Sequence, residues 1–431
     1  MAGLYQASLL TLQMIVGIAT GISLIHFLTL LLVRTRDRWV VPAVPEETAG
    51  GLRYIFMVPC LNEEQVIGAS VRRLRSIPGD SFVLVIDDGS TDRTAAIVRA
   101  LAEEDDRIEL LQRVAPNARQ GKGEALNYAY RKIVQDCQAE GIDLDTIVCC
   151  VMDADGLLDP RVLSAVDDLF SKKEIGAVQI GVRVRNRETM LGLLQDIEFF
   201  THVRLVQQGR NHLGSAGLGG NGQFTRISAL MSLGPAPWTA CLTEDLDLGI
   251  QLILKRWKLA FTDRAYVHQE GLVSIPKLVR QRSRWVQGYF QCCRRIPEIM
   301  VMEGRWYTMV DLVFSLVWPA VSCLLLPAAI VLSWVVVLYN VATVELPFAT
   351  WLGLGVIGYL LAFSTSAILA FSYRSRSGDL SVWRTILLIH SIGLFQFVWG
   401  LAGWRAFWRV LRRQGSWAKT ERVAAAPVAP G

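Results

Sequence analysis

The sequence predicts an α/β domain built on a parallel sheet and held at a membrane by apolar helices at both ends of the chain. Three observations carry this reading. The 431 residues are 52% hydrophobic and only 19% charged, too apolar for a wholly soluble protein of this length. From Arg53 to about Ile180, apolar strand-like runs alternate with helical patterns at the spacing of β-α-β units. The run Thr146–Met152, TIVCCVM, lies uncharged between Asp145 and Asp153, as expected of a strand buried on both faces.

In chain order, Leu9–Val33 is nearly uncharged and long enough for a bilayer, which needs about 20 apolar residues. The start MAGLYQAS has no Lys or Arg, and Arg34, Arg36 and Arg38 follow the apolar run. That pattern predicts a membrane anchor over residues 1–38 rather than a signal peptide. By the positive-inside rule the N-terminus is then outside and the chain after Arg34 starts in the cytoplasm. A linker with Pro42 and Pro45 leads to the α/β part.

There, strands are expected at Tyr54–Val58, Phe82–Ile86, Ile108–Leu111, Thr146–Met152 and Ala177–Ile180. Helices are expected at Glu63–Arg75, Asp92–Ala102, Glu124–Gln138 and Arg161–Phe170. Three loops at strand C-terminal ends carry unusual chemistry: VPCLNEE (Val58–Glu64), IDDGSTD (Ile86–Asp92) and the turn Asp153-Ala154-Asp155. Open α/β sheets place ligands at that edge, and a D-x-D pair can hold a hard divalent cation while leaving sites for substrate phosphates. A fourth loop, QGKGEALN (Gln120–Asn127), opens a helix with Lys122 between two glycines. Glycines admit close backbone approach, the helix N-terminus favours anions, and Lys122 adds a full charge. Each loop is also compatible with an ordinary turn.

The segment Gln208–Arg226 is glycine-rich and reads as a flexible loop. LTEDLDLG (Leu242–Gly249) then places Glu244 and Asp245 at the start of a helix running through Leu254, where acidic residues are also favoured by the dipole alone. Ile275–Arg295 interleaves Arg280, Arg282, Arg284, Arg294 and Arg295 with Leu278, Val279, Trp285, Val286, Tyr289 and Phe290, an amphipathic basic stretch suited to a membrane interface. Beyond Arg305, spans are expected at Val310–Leu338 (interrupted by Pro319 and Pro327), Thr350–Phe371 and Val382–Ala402. The first connection lacks Lys and Arg, whereas Arg374, Arg376 and Arg384 flank the second. Three crossings would leave the tail outside, while Arg405, Arg409, Arg412 and Arg413 favour the cytoplasm. Either the last segment does not fully cross, or the tail lies on the far interface. The end from Val423 reads as disordered.

The formal charge of +5 is small, and its basic residues gather beside apolar runs, which excludes nucleic acid as the expected partner in favour of membrane lipids. The eight cysteines have no C-x-x-C pair and the five histidines no H-E-x-x-H pattern, so packing thiols in a reducing compartment are expected.

The DDGSTD loop, the D-A-D turn, the Thr243-Glu244-Asp245 triplet and Gln281-x-x-Arg284-Trp285, in this order ahead of a block of membrane helices, resemble the family 2 glycosyltransferases of the processive polysaccharide synthase type. That group includes cellulose, chitin, hyaluronan and poly-N-acetylglucosamine synthases, and the likeness covers about residues 50 to 300. It implies a GT-A (Rossmann-like) domain over 50–275, an interface region over 276–305, a transmembrane block over 306–404 and a basic tail over 405–431. It also implies a UDP-sugar donor and inversion to a β-linkage. Residue by residue, Asp87 and Asp88 would hold uracil and ribose with Asn62 and Glu64 beside them, and Lys122 and Asp153 would lie near the nucleotide. Mg2+ or Mn2+ would sit chiefly on Asp155 with Asp153. Asp245, with Glu244 beside it, would be the general base, and Gln281, Arg284 and Trp285 would close over diphosphate and acceptor.

The chemistry agrees. Transfer needs one base for the attacking hydroxyl, a metal or cations for the leaving diphosphate, and Arg284 offers a bidentate phosphate contact that Lys would not. Trp285 offers a flat apolar face to a sugar ring, and an interfacial anchor is the competing role. The expected activity is elongation and export of a β-linked polysaccharide at the cell membrane, with N-acetylglucosamine the first expectation and room for an accessory subunit. Addition of a single sugar to a lipid, as in the related ceramide glucosyltransferases, is the alternative.

Overall fold

The computed structural model describes residues 24–33, 51–378 and 380–414, with Met14, Gly17, Gly21 and Ile22. Arg34, Arg36, Arg38, Pro42, Pro45, most of the first apolar segment and the end from Val423 lie outside the described residues. Helix α1 (Leu24–Val33) comes first. It is followed by β1 (Arg53–Cys60), α2 (Ile67–Arg75), β2 (Ser81–Asp87), α3 (Thr94–Glu104), β3 (Ile108–Gln112), α4 (Lys122–Ala139) and β4 (Ile147–Val151). Strands β1, β2 and β4 are mainly apolar runs whose two faces feed two cores, whereas β3 at the sheet edge buries only Ile108. Tyr54, Phe56, Val58, Val148 and Cys150 pack with α2 and α3, whereas Met57, Ile147, Cys149 and Val151 pack with α4. Burying Ile147, Val148 and Val151 contributes about 1.5–3 kcal/mol each, which anchors the charged turn that follows them.

The chain continues through β5 (Leu157–Leu158), α5 (Val162–Phe170), β6 (Ile175–Val184) and α6 (Met190–Ile197), a π-helical turn (Glu198–Val203), and α7 (Arg204–Leu213). Then come β7 (Gln223–Arg226), α8 (Ile227–Met231), α9 (Glu244–Leu254), β8 (Lys258–Gln269) and α10 (Ile275–Cys292). The sheet order is β3-β2-β1-β4-β7-β6-β8-β5. Strands β3, β2, β1 and β4 are parallel, β7 runs antiparallel between β4 and β6, and β5 is antiparallel to β8. The loops after β1, β2 and β4 therefore share one edge. The chain order turns back between β1 and β4, where crevices form in such sheets.

Two features depart from the expectation. The sheet is mixed rather than parallel throughout, and the glycine-rich segment is not a flexible loop. Ser215–Leu218 and Gly220–Ile227 are buried. Its polar groups find partners: Gly217 and Gly219 donate backbone N–H to Gln207 and Gln179, and Arg226 donates to the carbonyls of Asp145 and Phe170 at 2.7 Å each.

After α11 (Ile296–Met300) come three long apolar helices, α12 (Trp306–Thr343), α13 (Phe348–Ser377) and α14 (Val382–Leu411). Each contains a stretch long and apolar enough to cross a membrane. Helix α12 is continuous through Pro319 and Pro327, and α14 continues past Ala402 through Arg405 and Arg409. Helix α14 touches both α12 and α13 and lies along α10. Gln287 of α10 accepts from Arg409 and donates to the Gln414 carbonyl. At the other end, the buried carboxylate of Asp311 on α12 accepts from Arg210 of α7 at 2.8 Å and from Ser215 at 2.6 Å, and pairs with His26 of α1 at 2.8 Å.

Helix α10 lies so close to the loop between α8 and α9 that a Cβ on Gly288 would clash with the Thr243 hydroxyl oxygen. Gly288→Ala is therefore expected to destabilise by about 1–3 kcal/mol despite the better helix propensity of Ala. Gly353→Ala on α13, where an added Cβ meets nothing within 4 Å, is the control. Thermal melts in detergent should show a lower midpoint for the first variant alone, and equal midpoints would contradict the tight packing of α10.

Candidate active site

Two groups of side chains meet along the edge formed by the β1, β2 and β4 loops. The first ties the β1 and β2 loops together. Asn62, in a left-handed conformation with φ 53°, donates its backbone N–H to the Ser90 hydroxyl, and its side-chain amide oxygen accepts from Thr91 N–H at 2.8 Å. Glu64 accepts from the Arg93 backbone and side chain. Asp87, 1% exposed, accepts from Ser90 N–H and Gln112. Asp88 accepts from Arg113 at 2.5 Å and from Arg119 N–H at 3.0 Å; burial still raises its pKa. These bonds hold the carboxylates as fixed walls. The structure thus brings Asn62, Glu64, Asp87 and Asp88 together, and adds Arg113, which sequence alone did not single out.

The second group surrounds Lys122 at the N-terminus of α4. Its ammonium is 2.8 Å from Asp153 and 3.9 Å from Glu244. Burial works against the charge, but Asp153 and Glu244 outweigh it and hold the pKa above the usual lysine value. Asp245 is the next residue along α9, and Gly220, at φ 77°, presses so close that a Cβ there would lie 2.7 Å from its carboxylate oxygen. Burial raises the pKa of Asp245, and burial with the neighbouring Asp245 raises Glu244 to about 7. Lys122 and Arg284 of α10 act in the opposite direction on both.

The third acid of this helix has a different task. Asp247 binds Arg295 at 2.9 Å and Thr239 at 2.6 Å, so it fastens α9 to the segment after α10. The helix-start role that the dipole allows is thereby separated from the charge cluster formed by Glu244 and Asp245.

Asp153 and Asp155 occupy the turn after β4, where the Asp153 N–H donates to Asn221. Among the described residues no cluster of three or more His, Cys, Asp or Glu is arranged to hold a metal. Two carboxylates of a D-x-D turn nevertheless fit Mg2+ or Mn2+, hard cations that commonly take one or two protein carboxylates and fill their remaining positions with phosphate oxygens and water. All eight cysteines are free thiols, and seven are buried.

On α10, Gln281 accepts from the adjacent Arg282 at 3.4 Å. Arg284 has a buried Nε without a hydrogen-bond partner among the described residues. Trp285 stands against Phe199, Trp399 and the Arg282 guanidinium. Arg282 and Asn221 were not singled out as site residues from sequence. Arg282 falls on an unspecified position of the Gln281-x-x-Arg284-Trp285 pattern, and Asn221 sits in the segment read as a loop.

Residues 52–288 match the family model described as glycosyltransferase like family 2. The chain belongs to this family. It is similar to the beta-monoglucosyldiacylglycerol synthase of Nostoc sp., 34% identical over 284 residues, which make up 64% of this chain and 56% of that protein. It is also similar to the poly-beta-1,6-N-acetyl-D-glucosamine synthase of Staphylococcus epidermidis, 26% identical over 271 residues, 61% of each. The chain thus spans little more than half the length of these curated relatives. The solved structure of mannosyltransferase PcManGT from Pyrobaculum calidifontis, in complex with GDP-Man and Mn2+, superposes with a TM-score of 0.57 at 18% identity over 91% of this chain and 99% of that one. The fold is of the GT-A type.

Because Glu244 is held near pH 7 and Asp245 above the usual carboxylate range, glycosyl transfer is expected to decline as pH falls through about 7, when protons enter the pair and a base is lost. Glu244→Gln removes one of the two like charges, so the acid limb should move to lower pH. A pH–rate profile of the variant with an unshifted acid limb would remove Glu244 from the titrating pair.

Proposed function

We propose that the chain transfers one sugar from a UDP-sugar to a lipid acceptor in the membrane, with inversion at the anomeric carbon. The observation that carries this reading is the position of α10. It brings Arg284 to Glu244 and Asp245 on one side and packs against α12 and α14 on the other, so the acceptor side of the charge cluster adjoins the apolar helices. The likeness to a synthase named for glucosyldiacylglycerol supports a lipid acceptor.

In this mechanism Asn62, Glu64, Asp87 and Asp88 line the nucleoside end, held rigid by Ser90, Arg93 and Arg113. Asp153 and Asp155 would hold Mg2+ or Mn2+, which would supply neutralisation of charge on the diphosphate. The neighbour from Pyrobaculum with bound Mn2+ is in keeping with that assignment. Asp245 takes the proton of the acceptor hydroxyl as its oxygen bonds the anomeric carbon and the bond to the diphosphate breaks, and UDP departs. Lys122 and Arg284 offer cationic contacts to the departing diphosphate, the latter through a guanidinium whose Nε has no partner among the described residues. By the positive-inside rule, Arg34, Arg36 and Arg38 support a reaction on the cytoplasmic face of the cell membrane, and the three apolar helices support more than one crossing.

A second reading is elongation of a β-linked polymer, favoured by the Staphylococcus relative. Supplying radiolabelled UDP-sugars to membranes and extracting with organic solvent separates the two. The lipid reading expects label in the organic phase as a single-sugar product, and label in a large water-soluble or insoluble polymer would overturn it.

Asp245→Asn keeps the shape but cannot accept the proton, so transfer should fall by about 10²–10⁴-fold while UDP affinity stays close to that of the unaltered protein. Comparable turnover would remove Asp245 from the base role. Chelation of divalent metal, or Asp155→Ala, should weaken UDP-sugar binding and activity together, because the diphosphate then faces carboxylates without a cation. Activity that persists in excess chelator would make the D-A-D turn structural only.

A further inference from the structure

Arg282 is fully buried on α10, and the described structure gives it an unusual surrounding. Its guanidinium carbon is 3.9 Å from the centroid of the Trp285 ring, 5.2 Å from Trp399 on α14 and 5.4 Å from Phe199. One Nη donates to Glu198 at 2.6 Å, and Nε has no hydrogen-bond partner among the described residues. Glu198 opens the π-helical turn, a distortion of the helix often found at functional sites. Burial raises the Glu198 pKa, yet Arg282 favours its charged form.

Stability does not account for this arrangement. A buried Arg–Glu pair is commonly matched or bettered by apolar residues of similar volume. What the pair does provide is direction, since a guanidinium over the face of an indole fixes the ring through cation–π attraction and fixes itself through the carboxylate. The ring so fixed belongs to Trp285, next to Arg284, whose charge acts on Glu244 and Asp245. Phe199 meets the same ring edge-on at 70° and Trp399 at 44°, both with centroids 6.2 Å away, so the indole has partners on three elements.

We propose that Arg282 is a positioning residue of the acceptor path: ion-paired to Glu198, it clamps Trp285 in the orientation that guides the acceptor hydroxyl toward Asp245. This rests on the acceptor reading given above for its kinetic consequence, but not for the clamp itself.

Arg282→Met alone strands Glu198 as an unpaired buried acid, so it is paired with the double variant Arg282→Met/Glu198→Gln, which removes both charges. In lipid-reconstituted full-length protein, both should raise the acceptor KM by about tenfold while the donor KM moves by less than about twofold. Arg282→Lys keeps the charge without the planar stack and should recover part of the difference. Equal changes in acceptor and donor KM, or an unchanged acceptor KM in the double variant, would overturn the proposal.

Near-ultraviolet circular dichroism reads the clamp without any transfer. The Trp285 signal, taken as the difference between the unaltered protein and Trp285→Phe, should be lost in the double variant, and its persistence would show that Arg282 does not hold the ring. Should the unaltered protein transfer sugar to no lipid while that dichroic signal still depends on Arg282, the acceptor class fails and the clamp survives.

Discussion

The structure at the candidate active-site edge depends on an imbalance of charge. Asp153, Glu244 and Asp245 gather about a single ammonium, Lys122, in a partly buried space. Raising Glu244 from its ordinary value to about 7 corresponds to roughly 3 kcal/mol against its ionised form. Such a cluster requires cations from elsewhere, and the fold brings one on α10, a helix remote in sequence. The close fit of Gly288 against Thr243 lets α10 approach near enough for Arg284 to act on the acids. The Asp247–Arg295 pair fastens the far end of the same helical segment to α9. Packing of α10 and the electrostatics of the acids are therefore one problem.

Strands β1, β2 and β4 were legible because each is buried on both faces, and such runs leave a nearly unbroken apolar signature: Ile147–Val151 has no polar side chain other than thiols. Strand β7 was not legible. It has only four residues, and Gln223, Thr225 and Arg226 are buried by virtue of partners that no local pattern announces. The loops bearing Asn62, Glu64, Asp87 and Asp88 could be assigned to one edge because parallel strands share a direction. The ion pair from Arg113 to Asp88 spans 25 positions and exists only in three dimensions. Motif spacing likewise specifies Gln281, Arg284 and Trp285 and says nothing of Arg282, which geometry makes the most enclosed side chain of that stretch.

The apolar helices bear on the proposed acceptor. A path for a long polymer calls for helices arranged around an axis. Here α14 is the helix that touches both α12 and α13, and many large apolar side chains along α13, among them Leu352, Val356, Leu360 and Leu361, are exposed. Among the described residues these helices offer apolar surface to acyl chains, which is what the proposed lipid acceptor would need.

The carboxylate of Asp311 has a bearing on how the protein can be handled. It is shared by α1 before the sheet, by α7 and the Ser215 segment within the domain, and by α12 after it. A soluble fragment cut between the sheet and the apolar helices would keep Arg210 and Ser215 but lose the acid that both donate to, leaving a buried guanidinium uncompensated. The boundary that looks most convenient for a crystallisable truncation runs through a shared polar joint. Detergent or nanodisc preparations of the intact chain respect that joint.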